Sequence, residues 1–234
     1  MLPILRLLNS IGDVMAMVLI FMGPPGAGKS TMAKKLVSDY GLAHFSTGDI
    51  IREKLANDPE FKAEFDALIK AGKLLDDERT KQLLLEKMQA TDISKGFILD
   101  GYPRTVNQAH DLEEILKELG LKLNAAIYFS LPEQVAVDRL TRRLQCSKCG
   151  KIYNLASVKP KVSGICDDCG GKLITRADDE AETIRTRFRE YEEKTRPVVD
   201  YYKGLGLLYE IDVDDTVEEN YKKLKSLVET LKKE

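Results

Sequence analysis

Three groups of residues in this 234-residue chain have the types and spacing to do chemistry. "GPPGAGKS", Gly23 to Ser30, fills every required position of GxxxxGK[ST]. Glycine in such a loop lets backbone N–H groups turn inward around phosphate oxygens, and a following helix adds its positive N-terminus. Gly26, Ala27, Gly28, Lys29, Ser30 and Thr31 are therefore candidate phosphate ligands. Lys29 can reach terminal phosphates, and Ser30 can reach Mg2+ directly or through water. The second group is Cys146, Cys149, Cys166 and Cys169, spaced C-x2-C-x16-C-x2-C. That spacing reads as a structural, four-coordinate zinc site. Two disulfides, or four free thiols, are the alternatives. A ribbon that grips nucleic acid is another, since Lys148, Lys151, Lys159, Lys161 and Lys172 lie in the segment. Its only aromatic residue, Tyr153, is too little for base stacking. The third group is basic. Arg104 follows a predicted strand, Arg139 and Arg143 sit one helical turn apart immediately before the cysteines, Arg176 follows them, and Arg185 and Arg187 lie on the next helix. Each alone reads as a solvated arginine. Gathered around one insertion, they read as a charge clamp for phosphoryl transfer, which needs positioning and positive charge more than covalent chemistry.

The elements that must position these groups alternate. "MVLIFMG", "AHFSTG" (a short strand and turn), "GFILDGYPR", "AAIYFSLP" and "LLYEID" read as strands. Between them "KSTMAKKLVSDYG", "DIIREKLAND", "EFKAEFDALIKAG", "DDERTKQLLLEKMQA" and "TVNQAHDLEEILKELG" read as helices. So do "EQVAVDRLTRRLQ", one long stretch "DDEAETIRTRFREYEEKTRPVVDYYKG" with Pro197 as a place to bend, and "TVEENYKKLKSLVETLKK". Strands alternating with helices predict an α/β fold, a parallel central sheet flanked by helices. The alternation stops only at the cysteines.

Composition narrows the class. Hydrophobic residues are 43% and charged residues 32%, enough for a core. Lysine plus arginine number 36 against 38 acids, which gives no electrostatic footprint for nucleic acid. No run of 18 apolar residues predicts a membrane span. Residues 1–16 read as a disordered extension, with the folded unit starting near Met17. A cytoplasmic setting follows by default and favours metal over disulfides.

"GPPGAGKST", "FSTGDIIR", "AGKLLDDE", "FILDGYPRTVNQA", "VDRLTRR" and "RADDEAETIRTRFREY" stand in an order and spacing that resembles the adenylate kinases, from Met17 to about Val217. The cysteine segment resembles the long-lid form with a four-cysteine zinc lid. The resemblance implies a P-loop nucleoside monophosphate kinase that moves the terminal phosphoryl group of Mg-ATP to AMP, giving two ADP. It implies a monomer with a core over 17–45, 76–141 and 180–234, an AMP-binding region over 46–75 and a lid over 142–179. By the same resemblance Thr47, Arg52, Lys73, Leu74, Leu75, Gly101, Tyr102, Pro103, Arg104 and Gln108 meet AMP, with Gln108 at the adenine edge. Arg139, Ile152, Tyr153 and Asp215 cover ATP. Lys29, Arg104, Arg143, Arg176 and Arg187 surround the transferring group, the last two also reaching AMP. Asp100 helps hold Mg2+ through water, and Asp178 and Asp179 form an acidic pair at the lid's return hinge. Ser30 stands where the family usually has glycine, and Asp215 falls in the loop that touches the ATP base. Kinases for UMP/CMP, or using GTP as donor, are the nearest alternative. His44 and His110 receive no chemical role.

Overall fold

β1, Met17–Met22, is a run of six buried residues, and its side chains alternate between two cores. Val18, Ile20 and Met22 enter one; Met17, Leu19 and Phe21 enter the other. That two-sided burial is what a central parallel strand requires. The computed structural model describes residues 16–233, so the expectation for the N-terminal extension lies outside the described residues except at Ala16. The chain continues through α1 (Lys29–Tyr40), β2 (Ala43–Ser46), α2 (Thr47–Asn57), α3 (Pro59–Lys70) and α4 (Asp77–Gln89). Then follow β3 (Gly96–Asp100), α5 (Val106–Glu118), β4 (Ala125–Ser130) and α6 (Glu133–Thr141). β5 (Arg143–Cys146), β6 (Ile152–Asn154) and β7 (Leu173–Ile174) come next, then α7 (Ala181–Glu190), α8 (Arg196–Gly204), β8 (Leu208–Asp212) and α9 (Val217–Leu231).

Five strands form the central sheet in the order β2-β3-β1-β4-β8, every neighbour parallel. α4, α5 and α8 cover one face with Leu84, Met88, Leu112, Ile115, Val198 and Tyr202. α1 and α9 cover the other with Met32, Leu36, Leu224 and Val228. The chain leaves β1 for β3's side of the sheet and returns on β4's side. This reversal opens a crevice at the C-terminal ends of the strands, where ligands of such sheets bind. The cysteine segment builds a separate antiparallel sheet, β6-β5-β7, around a small core of Tyr153, Leu173, Cys146 and Cys166.

Three expected boundaries shift. The turn after β2 is absent, because Ser46 Oγ accepts from the Asp49 N–H and starts α2 at once. The helix expected through Gln145 ends at Thr141, and Arg143–Cys146 becomes β5. Leu140 and Leu144 keep helical spacing, but the second joins the small sheet, pairing with Tyr153. Only the partner strands decide that change. The long helix starts with a 3-10 turn, Ala177–Asp179, and carries a π turn over Tyr191–Thr195 before Pro197. Proline lacks an N–H and crowds the carbonyl four residues back, so the wider turn lets the helix pass it without a sharp break.

Candidate active site

The loop between β1 and α1 closes by backbone contact. A Cβ on Gly23 would lie 2.5 Å from the Phe129 carbonyl oxygen, and one on Gly26 would lie 2.8 Å from that of Ala136. These glycines serve close packing against β4 and α6 as much as an inward turn. Gly28 caps α1 with φ 81° and has open space beyond its Cα, toward the cavity. Lys29 Nζ donates to the carbonyls of Gly23 at 2.8 Å and Pro24 at 3.0 Å. Burial pushes the Lys29 ammonium down to about 8, and nearby Arg104, Arg187 and Arg143 add to the drop, against the pull of Asp100. Ser30 Oγ donates to the Asp100 carboxylate at the C-terminal end of β3. Burial alone would raise Asp100, but the His44 ring and Lys29 outweigh it and hold the group below the ordinary carboxylate range. A hydroxyl and an ionised carboxylate beside a phosphate loop are hard oxygen donors that suit Mg2+.

One cavity of about 1050 Å3 joins this loop to most of the other candidates. Its wall holds Gly26 through Thr31, Asp100, Thr47, Arg52, Lys73, Leu74 and Leu75. It also holds Gly101, Pro103, Arg104, Gln108, Arg139, Arg143, Arg176, Arg187, Ile152, Tyr153 and Asp215. Arg185, gathered with the other arginines on sequence, is exposed and does not line the cavity, and neither does Tyr102. The Tyr102 ring is fully buried in the core beside α5. Tyr153, though on the wall, is buried in the small sheet's core. Its hydroxyl accepts from the Asp167 N–H at 2.7 Å and donates to Cys166 Sγ at 3.5 Å. Asp215, also on the wall, accepts from Lys223 Nζ at 2.7 Å through its carboxylate.

The arginines converge from different elements, and acids hold them. Arg143, the first residue of β5, makes a paired contact to Asp179 through Nε at 2.7 Å and Nη2. Arg176 pairs with Asp178 through two bonds of 3.0 Å. Arg187, on α7, reaches Asp178 and Asp179, each at 3.1 Å. Burial lowers Arg187 to about 10 despite these acids, and it raises Asp178 less than the surrounding guanidiniums lower it, so that carboxylate stays well below its usual range. The family resemblance implies only a hinge role for Asp178 and Asp179; in the fold they brace three arginines. Across the cavity, Arg104 Nε donates to the Gly101 carbonyl at 2.8 Å, and Arg52 pairs with Asp49. Gly101 has φ +79°, and a Cβ there would strike Arg104 at 2.8 Å and Thr47 Oγ1 at 2.9 Å. Arg139 Nη2 donates to the Val213 carbonyl at 2.8 Å. His44, given no role from sequence, stands with Nε2 3.5 Å from the Asp100 carboxylate but makes no hydrogen bond to it. Its place two residues before Ser46 on a strand neighbouring β3 was the only signal for it.

All four cysteine sulfurs lie within 4.8 Å of one another. The nearest, Cys146 with Cys169 and Cys149 with Cys166, are 3.4 and 3.6 Å apart. A disulfide needs about 2.05 Å. A tetrahedron with metal–sulfur bonds of about 2.3 Å has edges of about 3.8 Å, close to these separations. The two CxxC turns match. Gly150 N–H donates to Cys146 O and Gly170 N–H to Cys166 O, with φ 70° and 67°. Tyr153 draws Cys166 down to about 6. The Lys151 N–H lowers Cys149, but the neighbouring sulfurs outweigh it and push that thiol up to about 12. Four sulfurs this close cannot all ionise without a cation between them, so the donor set fits zinc.

Comparison with known proteins gives one answer. A family model described as adenylate kinase matches residues 21–207. An adenylate kinase from Fervidobacterium nodosum is 50% identical over 203 residues, 87% of this chain and 93% of that protein. One from Thermotoga maritima is 48% identical over 196 residues, 83% and 89% of the two chains. One from Archaeoglobus fulgidus is 43% identical over 216 residues, covering 92% of this chain and 100% of the relative. With a phosphate loop at the head of a parallel sheet, a convergent arginine cavity and this extent of likeness, the chain belongs to the adenylate kinase family.

Proposed function

We propose that the protein transfers the terminal phosphoryl group of Mg-ATP to AMP, reversibly, giving two ADP. The single observation that carries this is one cavity lined by the phosphate loop at one end, by Thr47, Arg52, Arg104 and Gln108 at the other, and by Arg143, Arg176 and Arg187 between them. That is room and charge for two phosphorylated ligands meeting tail to tail. ATP phosphates take the loop N–H groups, and the Lys29 ammonium exchanges its loop carbonyls for phosphate oxygens. AMP lies between α2 and α4, its phosphate on Arg52 and Arg104, its base at Gln108. An oxygen of the AMP phosphate attacks the terminal phosphorus as the bond to the departing ADP oxygen breaks. The attacking group is already an anion, so no general base is required. Arg143, Arg176 and Arg187, braced by Asp178 and Asp179, stabilise charge on the moving group without reorganising. Ser30 and Asp100 would hold Mg2+, which supplies charge neutralisation at the bridging phosphates.

The segment 142–179 acts as a lid that brings Arg143 and Arg176 onto the phosphates and excludes water, which would otherwise take the phosphoryl group. Its core is too small to hold it rigid, and zinc on Cys146, Cys149, Cys166 and Cys169 supplies that rigidity, with no position free for water. The reading keeps the monomer that the resemblance to the adenylate kinases implies. Thiols gathered at one point suit a reducing, cytoplasmic setting. No helix among the described residues is long and apolar enough to cross a membrane. The test is a coupled assay with Mg-ATP and AMP, UMP, CMP or GMP, with Lys29→Met as control. AMP should be strongly preferred and Lys29→Met inactive. Preference for a pyrimidine nucleotide, or normal turnover in the variant, would overturn the reading.

A further inference from the structure

Gln108 is buried, and its side-chain amide is held at both ends. Oε1 accepts the Arg104 backbone N–H at 2.7 Å, and Nε2 donates to Asp77 Oδ1 at 2.8 Å. The other oxygen of Asp77 accepts from the Thr105 hydroxyl at 2.8 Å. These partners allow one amide orientation. A backbone N–H can only donate, and an ionised carboxylate can only accept. Turning the amide over would set its NH2 against the Arg104 N–H and its oxygen against the Asp77 carboxylate. In the orientation present, each amide atom keeps one hydrogen-bonding position of its own. Gln108 lines the cavity, whereas Asp77, the first residue of α4, stands behind it and does not.

We infer that Asp77, acting through Gln108, makes the acceptor site choose adenine over a 6-oxo purine. The inference rests on the reading above that Gln108 meets the acceptor base. An amide fixed as one donor beside one acceptor matches adenine, whose ring nitrogen accepts while its 6-amino group donates. Guanine and hypoxanthine carry oxygen at C6, an acceptor where adenine has a donor. Meeting them requires the flipped amide, which Asp77 and the Arg104 N–H oppose together. The backbone N–H alone would oppose it less, so the carboxylate is the positioning residue for base choice. Thr105, which caps α5 through the Gln108 N–H, ties that carboxylate to the same helix start.

The experiment compares AMP with inosine monophosphate, which carries the 6-oxo group without guanine's 2-amino group. Steady-state kinetics with Mg-ATP are measured for wild type, Asp77→Asn and Asp77→Ala, with melting curves on the same preparations. Asparagine can accept from the amide NH2 or, turned over, donate to the amide oxygen, so it no longer forbids the flip; alanine removes the partner altogether. The AMP to inosine monophosphate ratio of kcat/KM should fall about tenfold or more in each, within the discrimination a bidentate base contact carries. KM for ATP should stay at its wild-type value. A residue that only supported the fold would change both acceptors together and leave the ratio alone. A wild-type ratio in either folded variant, or a wild-type enzyme with no preference between the acceptors, would overturn the inference; if Asp77→Ala does not fold, Asp77→Asn decides. Wild type that phosphorylates neither acceptor would instead overturn the functional reading beneath it.

Discussion

At the residue scale the protein invests in buried charge. Lys29, Arg104 and Arg187 are all lowered by loss of water; Lys29 and Arg104 wait on carbonyls that phosphate oxygens can replace, while Asp178 and Asp179 hold Arg187 in place. In the ligand-free protein Lys29 loses its proton above about 8. The group must be charged to attract phosphate, so kcat/KM for ATP should fall as pH rises through that value. Bound ATP favours the ammonium, so the alkaline limb of kcat should lie at higher pH. Limbs at the same pH in both profiles would count against Lys29 as their source. The stability consequence has the opposite sense: the unfolded chain holds this proton more tightly, so ligand-free stability should gain as pH rises from about 8 toward the ordinary lysine value of 10.5. Arg104→Ala removes a charged hydrogen-bonding group from the AMP end alone. Its KM for AMP should rise about 10- to 100-fold, the effect of losing bonds to a charged group, while KM for ATP changes far less. Titrations showing equal loss for both nucleotides would contradict the assigned ends of the cavity.

At the element scale, the small sheet β6-β5-β7 depends on its sulfur cluster more than on its apolar core, which amounts to Tyr153, Leu173, Leu144 and the cysteines themselves. Cys166→Ser removes one sulfur and leaves the Tyr153 hydroxyl without its thiolate. Metal content should drop below one per chain, and this sheet should loosen before the central one, because no cysteine lies outside it. Thermal stability should therefore fall more than activity at moderate temperature. Metal content, melting temperature and turnover on one preparation, with and without chelator, make the check. Turnover lost at unchanged melting temperature would mean a catalytic metal instead.

At the scale of the whole molecule, two cores share one sheet, and the cavity sits where the sheet's strand order reverses. Leu36, fully buried on α1, packs in the core opposite the one that holds Tyr102 and Ala109, the residue after Gln108. Leu36→Ala should cost about 2–5 kcal/mol and lower Tm by roughly 5–15 °C. KM for AMP should stay unchanged in the folded fraction. A selective rise in KM for AMP would show that the two faces are coupled more tightly than their separate packing implies.

What the sequence determined by itself was local or written as ordered motifs. The phosphate loop is a contiguous pattern at a strand-to-helix junction, and the alternation of strands with helices is a matter of period. The CxxC turns close within five residues, so spacing alone carried them. Tertiary structure decided what depends on partners far along the chain. Arg143 leaves helical geometry for β5 because Tyr153 and Asn154 pair beside it, and helical periodicity cannot register a strand partner. Asp178 and Asp179 became braces for three arginines only when β5 and α7 met. Tyr102, inside a motif otherwise facing the cavity, turned into the core because the buried space beside α5 was there to fill. Asp77 reached Gln108 across 31 residues, and His44 reached Asp100 through the pairing of β2 with β3. Side-chain hydrogen bonds and ion pairs of that kind act over a few ångströms and leave no periodic trace, so only the folded chain brings their partners together.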